Sequence, residues 1–248
     1  MFSYDHVEFE YEPYPIGLIR EVLEPGLYGA LCSSYPPLEL FKYKPELGNK
    51  YSLSELNNAA EYRRFLKENA TWGEFHEYIK SKDFIERTLS MLKTNFIDLG
   101  VKKYRIVSKR RGSRANPLST LFGISELSAR FEFSMMNGKG GNIRPHTDIR
   151  RKLVTLVFSM YQPGEWNPAW GGSTAIVWPK DKRKIYNEIS RSLPFEEVNV
   201  IKDFEFNPNQ ALIFVKTFNS WHAVEPMTSP TEAALRKTLT VNIETRKT

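Results

Sequence analysis

The sequence predicts a mainly β fold, a barrel or jelly roll, with helices covering one outer face. From about Ser128 onward, short apolar or alternating stretches are separated by clusters of turn residues, which is typical of strands. Before that residue, apolar side chains recur at helical spacing. No linker, repeat or low-complexity tract divides the 248 residues, so we expect one domain. Residues 1–127 would form a largely helical lead-in and support, and residues 128–248 the β-rich core.

Two helical stretches are predicted near the N terminus. The first has apolar side chains at helical spacing, namely Leu18, Ile19, Val22 and Leu23. Pro25 interrupts this pattern, and a second stretch follows with Leu27, Tyr28 and Leu31. Cys32 lies in the second stretch and is expected to be a small buried residue. As the only cysteine, it cannot form an internal disulfide.

Two further helices are predicted before the strands begin. Thr71 and Glu74 match a capping box, which indicates a helix start. A new start at SKDF leads into one apolar face made by Phe84, Ile85, Leu89 and Leu92. His76 lies between apolar residues of the earlier helix, so we expect it to pack or to lie on the surface rather than to bind a metal.

The predicted strands differ in how their faces are patterned. ARFEFSMM alternates, whereas LVTLVFSMY is a continuous apolar run typical of a buried strand. The later strands are predicted at STAIVW, ALIFV and KTLTVNI. Glycines mark MNGKGGN as a turn, and QPGEWNPAWGG is expected to be a long irregular loop.

Basic residues are concentrated in VKKYRIVSKRRGSR, residues 101–114, within a chain of net charge +6. This segment predicts a solvated loop or an edge strand. The alternative is a lip that attracts an anionic substrate or nucleic acid. No recognisable nucleic-acid-binding motif accompanies it.

Composition also bears on where the chain resides. No stretch approaches the roughly 18 apolar residues of a membrane helix, so no membrane partner is expected. The acidic and aromatic start, MFSYDHVEFEYEP, does not match a secretory signal. A single cysteine gives no sign of an oxidising compartment. We therefore expect a soluble, cytoplasmic protein.

Three residues of the C-terminal half form a candidate metal site. His146 and Asp148 are two positions apart, and in a strand both side chains would face one cavity. His222 is the third candidate, because His6 lies near the terminus and His76 in a predicted helix. Two imidazoles and one carboxylate can occupy one face of an octahedral iron and leave three positions open. Such a site would be reactive rather than structural.

The last predicted strand, LRKTLTVNIE, has one polar face. Arg236 and Thr238 lie on this face with Thr240 and Asn242, and Lys237 lies on the apolar face. A guanidinium beside a hydroxyl is well suited to hold a carboxylate. The alternative is an edge strand whose polar face is in water.

Taken in order, these motifs resemble the Fe(II)- and 2-oxoglutarate-dependent oxygenases, most closely their prolyl-hydroxylase-like branch. The resemblance rests on RPHTDIRRKLVTLVF, a WGG before a strand, SWHAV, and an R-x-T pair on the last strand. The segments PYPIGLIREVLEPGLYGALCSSYP and WGEFHEYIKSKDFIERTLSML also resemble the helical lead-in of that branch. The resemblance implies a double-stranded β-helix, a jelly-roll or cupin-like core, with an N-terminal helical layer on one face.

The resemblance also implies roles for individual residues. His146, Asp148 and His222 would ligate iron and carry catalysis. Arg236 would pair with the far carboxylate of 2-oxoglutarate, with Thr238 hydrogen-bonding beside it; Lys237 is the alternative, because some prolyl hydroxylases use a lysine. Fe(II), 2-oxoglutarate and O₂ are the implied cofactor and cosubstrates, with ascorbate as an optional reductant. The implied reaction hydroxylates an unactivated C–H bond and yields succinate and CO₂.

The primary substrate stays open between a prolyl peptide and a small molecule. Many prolyl hydroxylases have a tyrosine before the H-x-D, whereas Met135 or Met136 is nearest here. Candidate substrate contacts are Arg150, which follows the H-x-D, and the aromatic side chains of Phe131 and Trp170. Aromatic rings can stack on a proline ring, although such residues more often pack in a core.

Two functions of other classes stay open at this point. One is a non-catalytic jelly-roll module that holds a metal for structure or sensing. The open-sided triad and the Arg236/Thr238 pair argue against it, because a structural site closes its coordination sphere. The other is a nucleic-acid-binding protein, which would depend on the basic segment alone.

Overall fold

The computed structural model describes residues 2–107 and 122–245, which form two β-sheets and a layer of helices. The helices are α1 Pro25–Ser33, α2 Ala59–Glu68, α3 Ala70–Lys80 and α4 Lys82–Thr94. The strands before residue 128 are β1 Val7–Glu10, β2 Ile16–Arg20, β3 Lys42–Lys44, β4 Lys50–Ser54 and β5 Tyr104–Ile106. Those that follow are β6 Ser125–Asn137, β7 Ile143–His146, β8 Lys152–Ser159, β9 Thr174–Pro179, β10 Val198–Phe204, β11 Gln210–Val215, β12 His222–Val224 and β13 Leu235–Thr245.

The larger sheet runs β1-β2-β11-β8-β13-β6-β4-β3, and β5 joins it by parallel pairing with β6. The smaller sheet runs β10-β9-β12-β7 and is antiparallel throughout. A cavity lined by strands of both sheets lies between them. This is the predicted double-stranded β-helix, and the five strands predicted from the sequence are found as β6, β8, β9, β11 and β13.

The main core lies on the outer face of the larger sheet, under the helices. Phe133 of β6 contacts the ring of Trp72 in α3 edge-to-face, with centroids 4.7 Å apart. Leu239 and Val241 of β13 are fully buried in the same core. The predicted helical layer on one face is therefore confirmed. The polar face of β13 is turned the other way, toward the cavity.

Strand β13 lies between β6 and β8 and is paired along nearly its whole length with both. An edge strand with one face in water, the alternative left by the sequence, is therefore excluded. The polar side chains of β13 are enclosed between the two sheets and must be explained by what the cavity contains.

The first predicted helix is wrong. Ile16–Arg20 forms strand β2, which pairs with β1 and β11. Its apolar side chains cover both faces, because Ile19 packs in the core under the helices and Ile16 and Leu18 pack on the inner side. The four-residue apolar run Ile16–Ile19 is buried on both faces and has no periodicity of its own, so the helical spacing was a chance match.

The description of residues 1–127 as largely helical also needs correction. Strands β1 to β5 all belong to the larger sheet, which the N-terminal part therefore extends at both ends. The predicted second helix is α1, and the two later ones correspond to α3 and α4. Helix α2, Ala59–Glu68, was not predicted.

The helix caps agree with the sequence in one case and differ in the other. Ser81 caps α4, where its Oγ accepts a hydrogen bond from the backbone N–H of Phe84 at 3.1 Å. Thr71, by contrast, lies inside α3, and the cap is Asn69, whose Oδ1 accepts from the N–H of Trp72 at 3.0 Å. Helix α3 starts two residues earlier than predicted because α2 ends at Glu68 and the intervening residue, Asn69, caps both helices.

The basic segment is described only in part. Tyr104–Ile106 forms strand β5, and Arg105 pairs with Glu126 of β6. Within the described residues β5 pairs with β6 alone, as the edge-strand interpretation predicts. Lys109, Arg110, Arg111 and Arg114 lie outside the described residues, so the proposed lip is untested.

None of the helices in the described ranges combines the length and apolarity needed to cross a membrane.

Candidate metal centre

Strands β7 and β12 bring the two candidate histidines together. His146 ends β7, His222 begins β12, and the two residues are opposite each other in the antiparallel register. Their ring centroids are 4.4 Å apart. Asp148 lies two residues beyond the end of β7, and one ligand atom from each of the three residues lies within 4.8 Å of the others. The cluster thus forms at an edge of the smaller sheet, from residues 76 positions apart in the chain.

The backbone fixes which nitrogen of each imidazole is free. Nδ1 of His146 is 2.9 Å from the carbonyl oxygen of Arg144, and Nδ1 of His222 is 3.0 Å from that of Ser220. A carbonyl oxygen can only accept, so each Nδ1 carries the proton and each Nε2 is left unprotonated. An unprotonated Nε2 with the other nitrogen bonded to an acceptor is the usual state of a metal-binding histidine.

Both imidazoles are held in the neutral form that a metal requires. Burial lowers the pKa of His146, although Asp148 opposes the shift. Burial lowers the pKa of His222 to about 3, and the neighbouring His146 adds to that effect. The site therefore presents two neutral nitrogen donors at neutral pH.

Asp148 is buried and is held through both carboxylate oxygens. Lys152 Nζ lies 2.5 Å from Oδ1, and Thr155 Oγ1 donates to Oδ2 at 2.7 Å. Burial alone would raise the pKa of Asp148, but the charge of the Lys152 ammonium and its hydrogen bond to the carboxylate outweigh burial and keep the pKa below its ordinary value. The side chain is consequently an anion and an oxygen donor. Its neighbour Thr147 points away from the cluster and donates to the carbonyl of Asn187 at 2.7 Å.

Arg236 lies in the same cavity, which has a volume of about 120 Å³. The residue is 3 % exposed, its Nε donates to the carbonyl of Gly172 at 2.6 Å, and its guanidinium carbon lies 4.3 Å from the ring centroid of Phe206. Burial lowers the pKa of Arg236 to about 9, so it stays charged at neutral pH. Among the described residues no carboxylate forms an ion pair with it. A buried, charged guanidinium without an acidic partner is costly, so we expect an anion to bind beside it.

Gly172, in the WGG motif, allows this approach. Its backbone φ is +86°, and a Cβ there would lie 3.2 Å from Cδ of Arg236 and 3.3 Å from its Nε. Any other residue would be strained at that φ and would press on the arginine. The second glycine of the motif is therefore explained by its positive φ and by its close contact with the side chain of Arg236.

The neighbours of Arg236 on β13 divide between the two faces. Thr238 is buried and lines the cavity with His146, Asp148 and His222. Lys237 lies on the opposite face, where it pairs with Glu165 at 2.8 Å. Lys237 is therefore not positioned to contact a ligand in the cavity. On β6, Met136 lines the cavity and Met135 does not.

The structure adds cavity residues that the sequence did not reveal. Lys50 of β4 lines the cavity and pairs with Glu132 at 2.8 Å, and Arg130 pairs with the same carboxylate. Lys152 also lines the cavity. Lys50 was missed because β4 was not predicted. Lys152 was visible beside the H-x-D, but its contact with Asp148 depends on the turn between β7 and β8.

The three candidate substrate contacts have different outcomes. Phe131 is 0 % exposed and packs against Trp72 and Phe75 under the helices, on the far side of the sheet from the cavity, so that expectation is wrong. Trp170 packs edge-to-face on Trp166, in an apolar cluster beside the cavity. Arg150 is exposed in the turn after Asp148. Helices cover one face of β6 and the cavity lies against the other, so the sequence alone did not show that Phe131 lies on the helix side.

An exposed aromatic pair near the cluster was not predicted. Tyr186 and Phe218 are 71 % and 45 % exposed, and their rings stack with centroids 4.6 Å apart. The pair is fixed relative to the candidate ligands. The N–H of Asn187, the residue after Tyr186, donates to the carbonyl of Phe218 at 2.8 Å. The carbonyl of Asn187 accepts from Thr147, which lies between His146 and Asp148 in the chain.

A closed jelly roll with two histidines, one carboxylate and a buried arginine facing one cavity defines a class of non-haem metal-dependent enzymes. Comparison with known proteins narrows the class. Residues 131–244 match the family model of the 2OG-Fe(II) oxygenase superfamily. None of the curated proteins matches the chain significantly.

Solved structures are also similar to this chain, and the first of the following three has a TM-score above 0.5. A prolyl-4-hydroxylase from Pseudomonas putida is 14 % identical, with 95 % of each chain covered and a TM-score of 0.51. HygX from Streptomyces hygroscopicus, with nickel and 2-oxoglutarate bound, is 10 % identical over 92 % of this chain and 82 % of that one, with a TM-score of 0.49. A Trichoplax adhaerens prolyl hydroxylase, in complex with a hypoxia inducible factor peptide, is 12 % identical over 92 % and 83 %, with a TM-score of 0.47.

Residues 131–244 thus align the C-terminal part of the chain with the 2OG-Fe(II) oxygenase superfamily. The match supports an oxygenase-type enzyme. It also supports Fe(II) as the cofactor, with 2-oxoglutarate and O₂ as cosubstrates. The donor set described above fits that metal, because two neutral imidazoles and a carboxylate suit a divalent first-row ion.

Proposed function

We propose that the protein is a dioxygenase that hydroxylates an unactivated C–H bond while 2-oxoglutarate is converted to succinate and CO₂. The observation that carries this proposal is one cavity that holds both an open-sided His/Asp/His cluster and a buried arginine. A structural metal site would need neither the open side nor the arginine. Together they match a metal that must also receive a carboxylate-bearing cosubstrate.

In this proposal His146, Asp148 and His222 hold the iron. Bound iron supplies the activation of O₂, which side chains cannot perform. The chain contributes orientation. Arg144 and Ser220 hold the imidazoles through their carbonyl oxygens, and Thr155 holds the carboxylate oxygen Oδ2. Each donor therefore faces the site before any ligand arrives, which lowers the entropic cost of binding.

Arg236 and Thr238 are proposed to hold the far carboxylate of 2-oxoglutarate. The cavity is partly closed and Arg236 is buried in it, so a carboxylate there loses water and gains a charge-assisted pair with the guanidinium. The Gly172 carbonyl and the Phe206 ring already fix that guanidinium in place. The cosubstrate would thus be bound in one orientation, with its keto-acid end toward the histidines. Ascorbate would act only as an added reductant.

The proposed primary substrate is a prolyl residue of a polypeptide, with a proline-like small molecule as the second candidate. The prolyl assignment takes its direction from the prolyl-4-hydroxylase that shares the fold. Tyr186 and Phe218 support a polypeptide, because they place a stacked aromatic surface in water beside the candidate ligands. Exposed aromatic groups of this kind typically mark an interaction surface. Arg150 and Trp170 stay as candidate contacts at the rim.

We further propose that the chain works as one domain in the cytoplasm. The free thiol of Cys32 is buried, which fits a reducing compartment. Both sheets contain β-strands from after residue 128, and the larger one also uses the N-terminal strands, which supports a single unit. Limited proteolysis that released a stable fragment 128–248, or fractionation that placed the protein elsewhere, would contradict these two statements.

The function is tested by anaerobic titration of the protein with Fe(II) and then 2-oxoglutarate. We expect the weak visible charge-transfer band of the iron–keto-acid chelate, followed by succinate formation when air is admitted. Arg236→Met should weaken 2-oxoglutarate binding by more than about 100-fold, since a buried charged pair costs about 3–5 kcal/mol to break. Lys237→Met is the matched control, because its side chain faces away from the cavity, and it should leave the titration unchanged. A protein that binds Fe(II) but shows no band would contradict the proposal.

A further inference from the structure

The cavity between the sheets carries an excess of positive charge. The cationic side chains that line it, or bond to a carboxylate beside it, are Lys50, Arg130, Lys152 and Arg236. The carboxylates paired with them are Glu132 and Asp148. As metal ligands, the imidazoles of His146 and His222 would carry no charge. Four cations against two carboxylates give a net charge of +2. Among the described residues Arg236 has no acidic partner, Lys50 and Arg130 share Glu132, and Lys152 pairs with Asp148.

The part of the chain that is not described cannot supply the missing acid side chains. Residues 108–121 contain lysine and arginine but no aspartate or glutamate. Residues 246–248 are arginine, lysine and threonine. The excess of positive charge at the cavity is therefore a property of the sequence as well as of the described fold.

Loading the site does not remove this excess. Iron adds two positive charges and 2-oxoglutarate adds two negative charges, so the two ligands cancel each other. The far carboxylate of the cosubstrate is assigned to Arg236. What is left is the charge of Lys50 and Lys152, which line the same cavity as His146, Asp148 and His222.

Lys152 is the better placed of the two lysines to meet a ligand. Its ammonium has Asp148 as its acidic partner, at 2.5 Å, and its side chain is only 17 % exposed. Lys50, in comparison, has Glu132 as a partner that takes no part in the candidate metal cluster. When Asp148 donates an oxygen to a divalent ion, Lys152 must share its one carboxylate with that ion. The ammonium of Lys152 and the divalent ion would then repel each other, and a second anion beside Lys152 would offset this repulsion.

We propose that Lys152, assisted by Lys50, forms an anion-binding subsite beside the metal, and that the primary substrate carries a carboxylate close to the carbon that is hydroxylated. This inference rests on the proposed function and narrows its substrate class. A free amino or organic acid supplies such a group, and so does an acidic side chain next to the target residue of a peptide. An ion pair inside a partly closed cavity would both bind the substrate and fix which C–H bond faces the iron.

The test uses matched pairs of compounds that differ in one charge. Free amino acids, proline included, are compared with their carboxamides, and proline-containing hexapeptides with glutamate beside the proline are compared with their glutamine counterparts. Two readouts are taken: the change in the visible band of the anaerobic Fe(II)–2-oxoglutarate complex, and succinate formation in air. We expect responses from acids and not from their amide partners. The amino-acid and peptide arms show which source of the carboxylate the site accepts.

Lys152→Met, Lys152→Arg and the control Lys139→Met, at an exposed turn, are tested with the acid that responds. Lys152→Met should raise the half-saturating concentration of that acid about tenfold or more, as expected for loss of a charge-assisted contact. Lys152→Arg should keep part of the response, and Lys139→Met all of it. Each variant is assayed at Fe(II) and 2-oxoglutarate concentrations that saturate it, because Lys152 also holds Asp148 and its loss is expected to weaken Fe(II) binding.

Three results would overturn the inference while leaving the proposed function intact: amides as effective as acids, no response to any acid from a protein that shows the band, or a Lys152→Met variant that responds to the acid as the parent does once Fe(II) and 2-oxoglutarate saturate it. The last result would make Lys152 a positioning residue for Asp148 only. A wild-type protein with neither band nor succinate would instead refute the proposed function, and this inference with it.

Discussion

At the scale of single residues, the two candidate histidines are held in the same way. Each one bonds through Nδ1 to the carbonyl oxygen two residues before it, Arg144 for His146 and Ser220 for His222. The acceptor is backbone, so side-chain substitution at those two positions would not remove it. Asp148 differs, because its orientation depends on the side chains of Lys152 and Thr155. The carboxylate is therefore the ligand whose geometry is open to change by mutation of its neighbours.

This difference predicts a graded loss of metal affinity. His222→Ala removes a proposed ligand and should lower Fe(II) or Co(II) affinity by more than Thr155→Val, which removes only an outer hydrogen bond worth about 10- to 100-fold. Calorimetric titration of the metal into the apoprotein under anaerobic conditions measures both. His6→Ala, at an exposed position, is the matched control and should bind metal as the parent does. Equal affinities for His222→Ala and the parent would remove His222 from the site.

At the scale of elements, alternation along a strand was predictable where the two faces differ in chemistry. In β13 the polar face of Arg236 and Thr238 and the apolar face of Leu239 and Val241 are both found as the sequence indicates. In β2 both faces are apolar, because cores lie on both sides, and the helical interpretation failed. Local pattern therefore predicts the orientation of a strand only when the tertiary environment is asymmetric.

The start of helix α3 gives a prediction at this scale. Asn69→Ala removes the side-chain acceptor for the N–H of Trp72, and should lower the free energy of unfolding by about 1 kcal/mol, within the usual range of about 0.5–2 for a cap. Thr71→Ala, inside the helix, should change it little, since alanine favours helix interiors. Urea denaturation followed by far-ultraviolet circular dichroism compares the two. A larger loss for Thr71→Ala would restore the capping box that the sequence suggested.

At the scale of the whole molecule, the candidate cluster could be predicted from the chain order of its residues, but its surroundings could not. The sequence clearly marks three strands near the site. His146 and Asp148 precede β8, His222 follows β11, and Arg236 lies in β13. Lys50 comes from a strand that pairs with β6 across a separation of more than 80 residues, and no local pattern announces that pairing. The charge of the cavity is thus a product of closure of the fold, which brings the N-terminal strands to the C-terminal core.

Closure of the fold also makes stability depend on pH. Burial lowers the pKa of His76 to about 4 and that of His222 to about 3, and it lowers the pKa of His146 as well, against an ordinary value of 6.5. The unfolded chain therefore binds protons that the folded chain rejects. Stability is full above pH 6.5 and falls as the pH drops from there toward 4, by about 1.4 kcal/mol per pH unit for each histidine concerned.

His76 isolates this effect from the metal site. It lies in α3, its ring is 5.1 Å from that of Phe131, and its buried Nε2 has no hydrogen-bond partner among the described residues. His76→Leu should remove one titrating group. The free energy of unfolding, measured with denaturant between pH 7 and 5, should then fall less steeply as the pH drops, by up to about 1.4 kcal/mol per pH unit, which corresponds to one proton. That window lies above 4.5, the ordinary pKa of glutamate, so the loss is read before the carboxylates contribute.

Metal binding provides the control. Saturating Fe(II) under anaerobic conditions should raise the stability of the wild-type protein by a similar amount at pH 7 and at pH 5, because the imidazoles of the folded chain are unprotonated with or without the metal. If the metal-free wild-type protein showed the same stability at pH 7 and pH 5, His76, His146 and His222 would have to be protonated in the folded state at pH 5. The neutral nitrogen donors on which the proposed iron site depends would then be absent.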